Sequence, residues 1–231
     1  MFKDKFCYVI VVAGGTGTRF GGDVPKQFQL LGGVPVILHS LRVFQKMDCV
    51  DGIVFVAPRD WRTFCEDLTA EHGLTKVMSI VAGGANRQES VYNGLLEVKE
   101  DVIVAIHDAA RPFVCEDAVL SVITAANTHK AATLALSATD TIKAADVEGN
   151  VTQTLPRENL YTIQTPQAFC KTTLVAAHEK ARDEGFLGTD DCQLMERAGI
   201  SPKIVIGNAN NMKITNATDL ELAEYIMERS K

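Results

Sequence analysis

Tyr8-Val9-Ile10-Val11-Val12-Ala13-Gly14-Gly15-Thr16-Gly17-Thr18-Arg19 is the stretch on which the fold turns. An apolar, mostly β-branched run with no polar alternation reads as a strand covered on both faces, as in a parallel sheet. The run passes directly into a glycine-rich loop. Glycines let backbone N–H groups come close to phosphates, and Arg19 adds a fixed cationic fork. From the glycines alone, an ordinary βα turn would look the same. No Gly-Lys-Ser/Thr closes the loop, and the spacing is not the dinucleotide fingerprint, so kinase and dehydrogenase readings lose ground.

Outward from this strand, short β-branched runs alternate with amphipathic stretches. Pro35 opens a helix with Ile37, Leu38, Leu41 and Phe44 on one stripe. Ile53–Val56 is a second strand, and Asp60 is a plausible cap for a helix that Gly73 stops. Val77–Val81 is a third strand, broken by Gly83-Gly84, after which Asn86 precedes another helix. Val102–Ile106 is a fourth strand that delivers His107-Asp108 at its end. A helix over 117–127 and a strand over 132–136 follow. The alternation predicts an α/β fold, a Rossmann-like, open and mostly parallel sheet with helices on both faces. Such sheets bind ligands at the carboxyl ends of their strands, where the polar motifs fall. Residues 137–155 break the rhythm. There Glu148-Gly149-Asn150 joins Thr141-Ile142-Lys143 to Val151-Thr152-Gln153-Thr154 as a polar β-hairpin, either a contact arm or a solvated loop.

The 231 residues suit one domain spanning 1–231, and a formal net charge of -6 argues against a nucleic-acid binder. No stretch is long enough to span a bilayer, nothing resembles a signal peptide, and the six scattered cysteines read as reduced thiols. The expectation is a soluble, cytoplasmic protein with no membrane partner.

Pro25-Lys26-Gln27-Phe28 follows the loop. A lysine there can reach an α-phosphate and neutralise charge as pyrophosphate leaves. Alone it would be a surface charge; behind the loop and Arg19 it is far more specific. With these motifs the chain resembles the sugar-nucleotide type of nucleotidyltransferase, in particular the cytidylyltransferases for 2-C-methyl-D-erythritol 4-phosphate and for ribitol 5-phosphate. The resemblance continues through Gly83-Gly84 with Arg87 and Ser90, His107-Asp108-Ala109-Ala110-Arg111-Pro112, Asp140-Thr141 and Arg157. It runs on through Gln164-Thr165-Pro166-Gln167, Thr189-Asp190-Asp191 and Asn211-Met212-Lys213-Ile214-Thr215.

The resemblance implies roles for the matching residues. Arg19, Lys26 and Lys213 would be catalytic, holding CTP phosphates or the acceptor phosphate. Ala13, Gly14, Gly15, Gly17, Gly83, Gly84 and Ser90 would bind the nucleotide in a pocket sized for a pyrimidine. Asp108 would join them and place Mg²⁺. Arg111, Thr141, Arg157, Thr165 and Thr189 would bind the polyol phosphate, and the 137–155 arm would reach a partner's site in a homodimer. Plainer readings stand beside these: an Asp108–Arg111 ion pair, Thr189 as a helix cap, and Arg157 tying the arm to the body. The acceptor phosphate is already anionic, so no general base is needed, and His107 reads as a positioning residue.

His107–Pro112 and Gly185–Asp191 resemble the methylerythritol enzymes, whereas Gly14–Arg19 and Pro25–Phe28 are nearer to the ribitol enzymes. The substrate-side motifs favour methylerythritol phosphate, with ribitol phosphate as the alternative. A non-catalytic nucleotide-binding regulator would be expected to lack Arg19, Lys26 or Lys213, and all three are present. A nucleotide-sugar glycosyltransferase would be expected to show an Asp-x-Asp pair where His107-Asp108-Ala109-Ala110 stands.

Overall fold

The strand that opens the chain, β1 (Cys7–Val12), lies at the heart of a seven-stranded sheet. A computed structural model describes residues 7–14, 24–98 and 102–229. Two short strands, β2 (Leu30–Leu31) and β3 (Val34–Pro35), lead into helix α1 (Val36–Lys46). Then come β4 (Gly52–Ala57), α2 (Arg62–Glu71), β5 (Val77–Ala82), α3 (Arg87–Leu96), β6 (Ile103–Asp108), α4 (Glu116–His129) and β7 (Ala131–Ser137). The hairpin strands β8 (Lys143–Ala145) and β9 (Val151–Thr154) precede β10 (Tyr161–Cys170), α5 (Lys171–Asp183), α6 (Asp191–Arg197), β11 (Lys203–Ile206) and α7 (Ala217–Arg229). The sheet order is β11-β7-β10-β6-β1-β4-β5.

Side-chain alternation along the central strands divides the core into two layers. Val9, Val11, Ile53, Phe55 and Ala105 point to the face covered by α1, α2 and α4. Ile10, Val12, Val54, Val56, Val104 and Ile106 point to the face covered by α3, α5 and α6. With both faces dry, these strands have no polar residue until β6 ends in His107 and Asp108, which is why their apolar runs are continuous. The stripe on α1 is buried as expected, with Phe44 edge-on to the His107 ring at 5.1 Å between centroids.

Several expectations need correction. Asp60 caps nothing: residues Arg59–Trp61 form a 3₁₀ turn, and α2 starts after Trp61 without a side-chain cap. Gly73, at φ +60°, does end that helix region in a left-handed turn. The cap of α6 is Asp190, whose carboxylate accepts from Gln193 N at 2.9 Å, so Thr189 lies one residue outside that role. β10 runs antiparallel to both β6 and β7 and had no counterpart in the sequence reading. Its Pro166 and polar Gln164, Thr165 and Gln167 hide the strand pattern, and the register shifts between Ile163 and Gln167, where a proline is tolerated. The hairpin is present with its partners displaced: Lys143 opposes Thr154, and the turn runs from Asp146 to Asn150 with Gly149 at φ +88°. Asp146 Oδ1 accepts from the backbone N–H groups of Glu148 and Asn150, a local bond that fixes this turn.

Candidate active site

The carboxyl ends of β1, β5 and β6 face one region. Ala13 continues β1 by donating its N–H to Val56 O at 2.8 Å, and Gly83 bonds in the same way to Ala57 O. The backbones of Gly14 and Gly83 approach so closely that a Cβ on Gly83 would sit 3.1 Å from Gly14 Cα, and one on Gly14 would sit 2.9 Å from Ser90 Oγ. A larger residue at Gly83 would press on the Gly14 backbone, and one at Gly14 would displace the Ser90 hydroxyl. Ser90 at the start of α3 closes this cleft: its hydroxyl donates to Asn86 O and accepts from Gly84 N at 3.0 Å. Asn86 caps the helix through Glu89 N. Ala13, Gly14, Gly83, Gly84 and Ser90 thus come together as one narrow wall. Gly15, Gly17 and Arg19 lie outside the described residues.

Lys26 sits in a 3₁₀ turn, Lys26–Phe28, whose neighbours fix it in two ways. The buried Gln27 side chain donates to Ala13 O at 2.6 Å, tying the turn to the end of β1. Phe28 stacks on Trp61, with centroids 4.8 Å apart, and meets Phe64 edge-on at 5.2 Å. The second motif is therefore anchored to the first.

At the end of β6, Asp108 gathers three cations. Lys213 Nζ donates to Asp108 Oδ2 at 2.7 Å and Arg87 Nε to Oδ1 at 3.3 Å, while Arg111 Nε stands 3.9 Å from Oδ2. Burial alone would raise the Asp108 pKa, but Arg87, Lys213 and Arg111 outweigh it and hold the carboxyl well below the usual range. The Asp108–Arg111 pair foreseen from sequence is therefore the longest of the three. Burial also works against the charge on Arg87, yet Asp191 and Asp108 beside it raise its pKa.

Thr165, on β10, locks the strand end: its hydroxyl oxygen accepts from Asp108 N at 3.0 Å and lies 3.2 Å from His107 Nδ1. His107 Nε2 is 3.1 Å from Arg111 O. With Thr165 donating to Nδ1, Nε2 carries the proton and donates to that carbonyl. Burial lowers the His107 pKa to about 4, so the ring is neutral and fully engaged, a positioning group rather than a base. Arg111 is steered by Asn211 O at 2.8 Å. Among the described residues, Arg111 Nε, Asn211 Oδ1 and Gln167 Oε1 are buried without a hydrogen bond.

The remaining expected residues lie apart. Arg157 donates to Thr139 O at 3.0 Å, at the base of the arm, and Thr141 is exposed. Thr189 bonds to Gln193 Oε1. Among the described residues none of the three shares a hydrogen bond or ion pair with the Asp108 cluster. Conversely, Asp191 and His178 had no assigned role, yet Asp191 Oδ2 accepts from Arg87 Nη1 at 2.7 Å and His178 Nε2 lies 3.2 Å from Asp191 Oδ1. Arg87 and Asp191 stand inside motifs already singled out, which was the available signal; His178, on α5, had none.

Asp108 is an ionised carboxylate that could serve Mg²⁺ in the mode that ion usually takes, with substrate phosphates as further ligands, once Lys213 had left its Oδ2. Among the described residues no group of three or more His, Cys, Asp or Glu side chains could hold a metal on its own.

Residues 7–229 match the family model described as IspD, 2-C-methyl-D-erythritol 4-phosphate cytidylyltransferase. A relative of that name from Geobacter metallireducens is 44% identical over 228 residues, covering 96% of this chain and 98% of its own. Another from Syntrophus aciditrophicus is 42% identical over 224 residues, covering 96% of each. The crystal structure of 4-diphosphocytidyl-2C-methyl-D-erythritol synthase from Anaerococcus prevotii superposes with a TM-score of 0.87 at 31% identity, covering 97% of both chains.

Proposed function

The chain belongs to the 2-C-methyl-D-erythritol 4-phosphate cytidylyltransferase family, and from that premise we propose how its strand ends divide the work. The protein is a nucleotidyltransferase that transfers the cytidylyl group of CTP to 2-C-methyl-D-erythritol 4-phosphate, a step in isoprenoid precursor synthesis. An oxygen of the acceptor phosphate attacks the α-phosphorus of CTP in line, the bond from that phosphorus to the bridging oxygen breaks, and pyrophosphate leaves. The observation that carries the acceptor is the family match over residues 7–229.

The nucleophile arrives ionised, so the protein has only to position two anions and stabilise the charge that builds between them. The Gly14–Gly83–Ser90 wall receives the base and ribose, and its close backbone approach favours a pyrimidine. Lys26, tied to β1 through Gln27, and Arg19 take the triphosphate. Lys213, the most exposed of the cations around Asp108, exchanges that carboxylate for phosphate. Arg111 and Thr165 frame the acceptor side, with Thr189 beyond them, and Thr141 and Arg157 are brought by the arm of a second copy in a homodimer. Mg²⁺, held by Asp108 and the triphosphate, supplies charge neutralisation when bound.

Pyrophosphate release with CTP and Mg²⁺ tests this reading, with 2-C-methyl-D-erythritol 4-phosphate compared against ribitol 5-phosphate and with ATP, GTP and UTP as controls. Release confined to CTP with the methylerythritol acceptor is the expected result. Turnover of ribitol 5-phosphate alone would overturn the acceptor while leaving the chemistry in place.

A further inference from the structure

Asp108 is held by two closely bonded cations whose own surroundings differ. Arg87 is shared between carboxylates, with Nε on Asp108 Oδ1 and Nη1 on Asp191 Oδ2. Lys213 has Asp108 as its only ion-pair partner among the described residues. The Asp191 side chain is 1% exposed, and its second oxygen faces His178, 2% exposed, at 3.2 Å. A carboxylate so deeply buried is costly unless both oxygens are satisfied, and here they are, by one cation and one ring N–H. Capping does not explain the residue, because Asp190 already caps α6.

We propose that Asp191, oriented by His178, is a positioning residue: it fixes Arg87 on Asp108 so that Lys213 is the partner free to leave for substrate phosphate. The proposal rests on the reading of Asp108 and Lys213 as part of the active site. A guanidinium is planar, and one bonded through two of its nitrogens to two carboxylates cannot turn without breaking both contacts. A lysine ammonium is a point charge on a flexible stem, and the Lys213 side chain is 37% exposed against 28% for Arg87. When a phosphate arrives, Lys213 exchanges one anion for another, and Asp108 keeps Arg87 as its counter-charge. Without Asp191, Arg87 would be a cation with one partner, able to follow the phosphate or to crowd Lys213 on Asp108. The cluster would then lose the asymmetry that sends one cation and keeps the other.

A residue that only stapled α6 to α3 would act on stability and not through Arg87, and a double-mutant cycle separates the two. Asp191→Asn, Arg87→Ala and the double variant are assayed for kcat and for the KM of both substrates, with thermal unfolding to confirm the fold. Asp191→Asn is expected to lower kcat about tenfold or more while the KM for CTP stays within about threefold, and the double variant should match Arg87→Ala within about twofold. Effects that multiply in the double variant, or a folded Asp191→Asn with kcat near that of the unmodified protein, would overturn the proposal. If Asp191→Asn does not fold, His178→Gln takes its place in the cycle: loss of kcat absorbed by Arg87→Ala supports the arrangement, and an unchanged or multiplying kcat overturns it. Turnover by the unmodified protein in the same assay tests the functional reading separately.

Discussion

The sheet half around β1, β4 and β6 and the half around β7, β10 and the hairpin serve the same candidate site in opposite ways. In the first, strands are buried on both faces, β1 runs on through Ala13 into Gly14 and β6 ends in Asp108, and the groups at these ends are fixed by backbone bonds and by Gln27. In the second, β9 is exposed along its whole length, Val147 at the hairpin turn is 105% exposed, and Arg157 bonds to Thr139 O at the base of the arm. On the proposed function, the dry sheet would hold the triphosphate rigidly and the exposed hairpin would serve the second substrate. The difference sets where changes should act on rate, and where on acceptor binding.

The sharpest way to break the comparison is Lys26→Ala. It should lower kcat by at least about a hundredfold with the thermal midpoint little changed, the scale of losing a charge-stabilising group. Near-normal turnover in the folded variant would remove the rigid half from the chemistry.

Acid should act on the rigid half next. His107 is depressed to about 4 from 6.5, so between those pH values the unfolded chain binds the extra proton and stability falls as pH is lowered. The expected loss between pH 7 and pH 5 is about 2 kcal/mol from this residue. His39, also depressed chiefly by burial, adds with the same sign. Asp108 and Asp191 are depressed too, so their contributions persist above the ordinary carboxylate range and are lost only at more acid pH. Urea unfolding at the two pH values should show a smaller difference for His107→Gln than for the unmodified protein; an equal difference would remove His107 as its source.

On the acceptor side, Arg157→Ala should raise the KM for the acceptor about tenfold while the KM for CTP hardly moves, the scale of one charge-assisted hydrogen bond. An effect on CTP alone would move the arm to the nucleotide. The smallest effect is expected at the hairpin turn, where Val147→Ser should change chemical stability by less than about 0.5 kcal/mol. A larger loss would mean that the turn is covered in solution.

The same contrast governs what the sequence disclosed. Runs such as Val9–Val12 and Ile53–Val56 are legible because both faces are buried, so the pattern of residue types is itself the fold. Gly14, Gly83 and Asp108 could be placed because strand ends follow from strands. β10 was hidden because Pro166 and its polar neighbours serve the site rather than the sheet. Arg157, Thr141 and Thr189 were named through resemblance, and no periodicity could say which atoms they meet. His178 was missed because its partner Asp191 lies on another helix, a proximity that only folding creates.

Trp61 is the only tryptophan in the chain, and it stacks on Phe28 directly beside Lys26. Excited selectively over the four tyrosines, the indole thus reports from one place, against the turn assigned to the triphosphate. Its emission should shift as CTP binds and stay unmoved by the acceptor alone, so occupancy of the nucleotide half can be titrated optically, without a label and before any turnover occurs.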